Sequence, residues 1–332
     1  MTTARTMQGE ALHGSARQST PWKRWVSVQV YGLVTRSLFP PHAAPQVMRA
    51  RFERFARTSR EKLQRKYPNL VFEDHTFGDR NMESVTAVAA PSCVLMHLHG
   101  GAYFMGTPAS YRSRTMRLSY RCNAEVFAPD YRLAPEHPAP AALEDALDAW
   151  CELKRIRPNV PIFVSGDSAG GGLAISLMVA LRDQGLPLPD GAVLFSPWTD
   201  MTSSGASMDD NDRHDVWLSK THCQAWAAHY VGDVDPCDPR VSPVYGNLED
   251  LPPMLLIVGD REVLLDDAHR VHCNALAAGV TSVLHVGRDM QHDFPLTLPW
   301  LDESREAWSA IAGFVDANVS GRRTRSRPTH GR

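Results

Sequence analysis

Ile162-Phe163-Val164-Ser165 runs into Gly166-Asp167-Ser168-Ala169-Gly170-Gly171-Gly172, and the reading of the whole chain turns on that junction. The first four residues are β-prone and mostly apolar, whereas from Gly170 to Asp183 the apolar positions take up helical spacing. G-x-S-x-G therefore sits on a sharp strand-to-helix turn. There a serine stands clear of the sheet edge, and the glycines let strand and helix approach without Cβ clashes. Ser168 is the candidate nucleophile. A phosphate-binding loop would need a G-K-[ST] ending or the G-x-G-x-x-G spacing, and Gly170-Gly171-Gly172 supplies neither.

Working outward, short β-rich runs alternate with longer helix-patterned segments from about Leu70 onward, which predicts βα units and a mostly parallel sheet. Eight strands are expected: two between Val71 and Ala89, then Cys93–His97, Glu125–Pro129, Ile162–Ser165, Ala192–Phe195, Met254–Val258 and Ser282–Val286. Helices are expected over Tyr111–Cys122, Ala141–Ile156, Gly170–Asp183, Asp266–Ala278 and Leu301–Val319. The Asp-, Gly- and Pro-rich interval 199–250 is longer than an ordinary crossover, and contains a further helical pattern over Trp217–Tyr230. Insertions of that size commonly carry a binding surface. Upstream, residues 22–66 read as helical, with Met48, Phe52, Phe55, Ser59 and Leu63 in register among many arginines. That basic amphipathic stretch is expected to pack on a neighbouring unit rather than lie on a membrane.

Composition sets outer limits. With 332 residues, 43% of them apolar, the chain can bury one large core, and its net charge of −2 excludes a body that traps nucleic acid electrostatically. The basic charge is local. Arg322, Arg323, Arg325, Arg327 and Arg332 crowd a tail without acids, read as disordered over 320–332, and residues 1–20 read as a flexible start. No stretch reaches the roughly 18 apolar residues of a membrane helix, and the first residues lack a secretory apolar block, so stable membrane insertion is not expected and a cytoplasmic location is. The six cysteines are scattered, without C-x-x-C, and read as buried thiols.

A serine hydroxyl is nearly inert at neutral pH and needs a base, which in turn needs an acid to fix its tautomer. His292, in the loop Arg288-Asp289-Met290-Gln291-His292-Asp293-Phe294 after the last strand, is the best-placed base; His285 falls within that strand as a packing residue. Acids stand between Ser168 and His292 in Gly259-Asp260-Arg261-Glu262, just past Met254–Val258. Negative charge on an attacked carbonyl needs inward N–H groups. The glycine-rich loop His99-Gly100-Gly101-Ala102 can turn such donors inward to act together with the N–H of Ala169, and His99 itself is expected to brace that loop.

Three blocks together, His99-Gly100-Gly101-Ala102, Asp130-Tyr131-Arg132-Leu133-Ala134-Pro135-Glu136-His137-Pro138 and Gly166-Asp167-Ser168-Ala169-Gly170-Gly171, resemble the hormone-sensitive-lipase family of α/β-hydrolases, in particular its bacterial carboxylesterases. The middle block is the most diagnostic, because nothing in serine-hydrolase mechanics demands it. The resemblance implies an α/β-hydrolase fold, with an eight-stranded sheet flanked by helices over 67–319. It also implies a helical cap built from 21–66 and the insertion at about 199–250. By resemblance Ser168 and His292 are catalytic, with Phe294 completing an H-x-F block. The family's D-P-L-x-D-E block slides onto Glu262-Val263-Leu264-Leu265-Asp266-Asp267, which favours Glu262 over Asp260 as the acid and leaves Asp266 as loop support. Gly101 and Ala102, with Gly100 possible, would join Ala169 as oxyanion donors, although Ala102 replaces the family's third glycine. The implied activity is hydrolysis of small to medium acyl esters through an acyl-serine, without cofactor or metal. The partner is a small-molecule ester and not nucleic acid, and a homodimer stays open. A lipase, a lactone or amide hydrolase, or a non-catalytic binding protein could stand on the same scaffold.

Overall fold

Cys93–Leu98 (β4), Ala124–Pro129 (β5), Ile162–Asp167 (β6), Ala192–Phe195 (β7) and Met254–Gly259 (β8) are buried at every position. Continuous burial of such short apolar runs is the signature of parallel strands covered on both faces. The computed structural model, which describes residues 12–13, 19–39 and 43–325, bears this out. Ser282–Gly287 (β9) joins β8 in parallel, and Val71–Phe77 (β2) and Arg80–Thr86 (β3) form an antiparallel hairpin on the far edge. A further two-residue strand, Leu12–His13 (β1), pairs with His285 and Val286. The sheet order is therefore β1-β9-β8-β7-β6-β4-β5-β3-β2. All eight expected strands are present. The ninth falls inside the stretch 1–20 read as flexible, most of which lies outside the described residues.

Each face of the sheet buries its own core. On one side Trp150 and Leu177 belong to a cluster shared with helices Ala141–Ile156, Ala169–Asp183 and Leu265–Ala277. On the other, Leu118 and Trp308 pack from helices Pro108–Cys122 and Asp302–Arg325. That last helix passes the expected end at Val319, so Arg322, Arg323 and Arg325 sit on its final turns and not in a disordered tail; residues 326–332 lie outside the described residues.

Strand order reverses between β4 and β6, since β4 leads to β5 on one side while β6 opens the run toward β9 on the other. In open α/β sheets the crevice at the carboxyl ends of such strands is where ligands bind. The loop after β4 and the turn after β6 both end there.

Pro21–Leu38 and Pro45–Ala56 stand above that crevice, and Arg60–Lys66 lies against the β2–β3 hairpin, where Arg60 pairs with Asp74 and Glu83. These are three helices where the sequence shows one extended helical pattern. The pattern breaks twice, after Leu38 and after Ala56, and at the second break the Ser59 hydroxyl accepts Lys62 N–H and caps the third helix. Met48, Phe52 and Leu63 are buried as expected, but Phe55 is 64% exposed. Gly32 lies directly on Val216, and Tyr31 and Phe39 meet Trp217 with ring centroids 5.9 and 5.7 Å apart. The first two N-terminal helices and the 199–250 insertion thus pack together.

Candidate active site

Ser168 follows β6 directly and caps helix Ala169–Asp183 with φ 54° and ψ −122°, a torsion that costs a non-glycine residue about 1–3 kcal/mol. The flanking glycines explain how the turn closes. A Cβ on Gly166 would lie 2.1 Å from the carbonyl oxygen of Gly170, and one on Gly170 would lie 2.0 Å from that of Leu98. Backbone meets backbone on both sides of the serine.

His292 and Glu262 come together as expected. His292 Nδ1 is 2.6 Å from Glu262 Oε2, and both side chains are almost wholly buried. The other carboxylate oxygen accepts Gly259 N–H at 2.6 Å and Ser196 Oγ–H at 2.8 Å, so the acid cannot turn away from the ring. Asp260 stays outside this arrangement: its side chain is 34% exposed and faces Arg261 and Asp289. Asp266 accepts Ser207 N–H, linking the acid loop to the insertion. Its neighbour Asp267, which the sequence did not single out, is the buried one, accepting the N–H groups of Thr199 and Asp200, and burial pushes its carboxyl up to about 7.

Ser168 and His292 line one small pocket with Gly101, Ala102, Phe52, Tyr111, Trp198, Trp217 and Trp226. Trp217 meets the His292 ring edge-on at 5.3 Å. Tyr103 lies against Trp198 and stacks on Tyr230 beneath this wall. Phe52 and Trp217 also line a larger, mostly apolar groove of about 510 Å³ that runs outward between helix Pro21–Leu38 and Leu296, Leu298 and Trp300.

The glycine-rich loop is held from below. His99 is buried, donates Nδ1–H to Gly100 O at 2.9 Å and stacks on Tyr131, and burial lowers it to about 4, which suits a neutral brace. Tyr131 O–H donates to His99 O at 2.6 Å, Arg132 pairs with Asp145 at 2.7 Å, and Glu136 receives Arg49, which also donates to Phe104 O. The D-Y-R-L-A-P-E block is therefore scaffolding for this loop. One candidate donor drops out. Gly100 N–H points at Asp167 Oδ1, 3.0 Å away, and is not free for an oxyanion. Gly101, Ala102 and Ala169 make no such bond among the described residues. Ala102 adopts φ 52°, a left-handed torsion that its Cβ tolerates at a cost of about 1–2 kcal/mol.

Asp167 had drawn no attention in the sequence beyond filling the motif. It is fully buried, and although burial would raise its carboxyl, His97 at 3.2 Å and Tyr111 O–H at 2.8 Å hold it at about 2. Ser196, Asp215 and Asp293 were missed as well. Asp215 accepts Val263 N–H from the acid loop and Trp217 and Leu218 N–H from the insertion; burial raises it to about 6. The trace that Ser196 and Asp293 leave in the sequence is their place just after β7 and β9; Asp215, inside the insertion, leaves none. Three of the six cysteines, Cys151, Cys237 and Cys273, prove exposed rather than buried, though all six are free thiols. Among the described residues no cluster of three His, Cys, Asp or Glu has a metal-holding arrangement, and no helix is long and apolar enough to cross a membrane.

A family profile described as alpha/beta hydrolase fold matches residues 95–296. An esterase of Acinetobacter venetianus is 33% identical over 89% of this chain and 97% of its own length. An acetyl-hydrolase of Streptomyces hygroscopicus is 38% identical over 72% of this chain and 81% of its own. Among solved structures, an esterase from the bacterial hormone-sensitive lipase family superposes with a TM-score of 0.81 at 32% identity, covering 89% of this chain and 98% of that one.

Proposed function

Because the chain belongs to the α/β-hydrolase fold family, in its hormone-sensitive-lipase branch, we propose that it is a carboxylesterase that cleaves small to medium acyl esters through an acyl-serine at Ser168. The observation that carries the reading is the buried 2.6 Å contact between His292 and Glu262 in the wall of the pocket that Ser168 enters. His292 Nε2 takes the serine proton as Oγ attacks the ester carbonyl, and Glu262 holds the ring by Nδ1 and stabilises the imidazolium. The N–H groups of Gly101, Ala102 and Ala169 receive the oxyanion. Collapse of the tetrahedral intermediate sends the proton from Nε2 to the leaving alcohol, and water repeats the cycle to free the acid.

The N-terminal helices and the insertion act as a cap over this site, and the apolar groove beside Phe52 and Trp217 supplies a wall for the acyl or alcohol part of the substrate. A cytoplasmic location belongs to the same reading and suits six free thiols.

A serine-directed phosphonate and a series of p-nitrophenyl esters test the proposal. The phosphonate should label Ser168, hydrolysis should fall off as acyl chains lengthen, and Ser168→Ala should lower turnover by about 10³-fold or more while the protein stays folded. Undiminished hydrolysis by Ser168→Ala would overturn the assignment. An unlabelled, inactive but folded wild type would favour a binding protein.

A further inference from the structure

The ring of His292 has a carboxylate on each side. Glu262 occupies Nδ1, as a general base requires, but Asp293 Oδ2 lies 3.4 Å from Nε2, the nitrogen that must receive the proton of Ser168. The backbone produces this contact. Asp293 takes φ 55° and ψ 32°, a left-handed conformation that an aspartate tolerates better than most residues, and so turns back alongside its neighbour. Its N–H donates to Ser196 Oγ at 3.0 Å, the same hydroxyl that donates to Glu262. Asp293 is only 3% exposed, and its second oxygen, Oδ1, is buried without a hydrogen-bond partner. A carboxylate so desolvated is costly unless a proton or cation answers it.

The groups around the ring supply little other relief. Asp215 faces it from the insertion and Glu262 from the loop after β8, while Asp167 reaches toward Asp293 from the end of β6. The Tyr31 hydroxyl on helix Pro21–Leu38 also faces Asp293. Arg114, on helix Pro108–Cys122, is the cation that acts on Asp293, and it sits over the Tyr111 ring at 4.4 Å. The balance around the imidazole is negative.

Taking His292 as the base proposed above, we propose that Asp293 is a positioning residue that latches a proton onto Nε2. The resting ring then cannot act as base until that proton leaves for solvent or Asp293 turns aside. The step is a simple deprotonation: imidazolium and Asp293 carboxylate become neutral imidazole and carboxylate, with the proton released to water. Burial alone would lower the histidine and lifts the Asp293 carboxyl well above its ordinary value, yet Asp293 and then Glu262 hold His292 up at about 9, so the pair keeps one proton between Nε2 and Oδ2. A group raised in this way keeps its proton through neutral pH and loses it as pH climbs through that value. Ester hydrolysis should therefore rise with an acidic limb near pH 9, well above the limb near 6.5 of an unperturbed histidine.

The experiment is a pH profile of kcat/KM on p-nitrophenyl butyrate for wild type and Asp293→Asn, with the His292 ring resonance followed by NMR in the wild type. The expected result is a limb about one unit lower or more in Asp293→Asn, making it about tenfold faster than wild type at pH 7, and a wild-type ring that titrates near 9. A purely structural aspartate would depress the rate at every pH and leave the limb in place, which would overturn the proposal. Should Asp293→Asn fail to fold, the wild-type titration decides alone: a midpoint at 6–7 refutes the latch. The two readings fail separately. An unmoved limb with Ser168-dependent hydrolysis sinks only the latch, whereas hydrolysis surviving Ser168→Ala sinks the esterase assignment beneath it.

Discussion

The turn at 166–170 and the loops at 259–267 and 287–294 converge on one pocket, yet they are built on different principles. Around Ser168 the constraint is steric and lies in the main chain: glycines abut carbonyls at distances no Cβ could occupy, and Ser168 and Ala102 sit at positive φ. Around His292 the constraint is electrostatic and lies in side chains: two carboxylates, a shared serine hydroxyl and a buried ring. A steric site tolerates no change of shape. An electrostatic one tolerates shape changes better than changes of charge.

Substitutions separate the two kinds of constraint. The largest effect should come from Glu262→Gln, which keeps the volume but removes the charge that orients His292; kcat should drop by about 10⁴-fold with the melting temperature little changed, measured on p-nitrophenyl butyrate. Gly170→Ala adds one methyl group and no charge, but drives it onto Leu98 O. Destabilisation of about 3 kcal/mol or more is expected in urea titration, and a stable Gly170→Ala protein would show that the elbow is looser than its geometry. Tyr111→Phe deletes the O–H that donates to Asp167 and should cost about 1.5–3 kcal/mol of stability by the same titration.

Because Asp167 is held low, at about 2 against its ordinary 3.8, its contribution to stability is complete above pH 4 and lost as pH falls through 2. Tyr111→Phe should accordingly begin acid unfolding at a higher pH than wild type, read by circular dichroism. The smallest effect belongs to Asp260→Asn. This half-exposed carboxylate does not touch His292, so its loss should alter kcat/KM by less than about threefold; a collapse comparable to that of Glu262→Gln would reassign the acid.

The same contrast explains what could be read in advance. The elbow was legible because main-chain sterics restrict residue type locally, leaving glycines on either side of Ser168. The sheet was legible because burial on both faces writes uninterrupted apolar runs. His292 and Glu262 could be located through their places after the last two long strands and through family spacing. Asp293 could not, since nothing in Gln291-His292-Asp293-Phe294 reveals that a left-handed torsion folds its carboxylate back against Nε2. Nor could the loss of Gly100 as a donor, which depends on Asp167 arriving from another strand 67 residues away. Helical spacing puts Phe55 on one stripe with Met48 and Phe52, but spacing alone does not reveal that it stays 64% exposed along the apolar groove.

The nesting of Gly170 against Leu98 and His99 fastens the serine turn to the loop that carries the amide donors. The proposed nucleophile and the proposed oxyanion donors are in effect one casting, while the aromatic residues Trp217, Phe52 and Phe39 above them belong to other parts of the chain. Phe39 and Phe52 can therefore be recut with that casting left intact, whereas Trp217, which packs edge-on against the His292 ring, cannot.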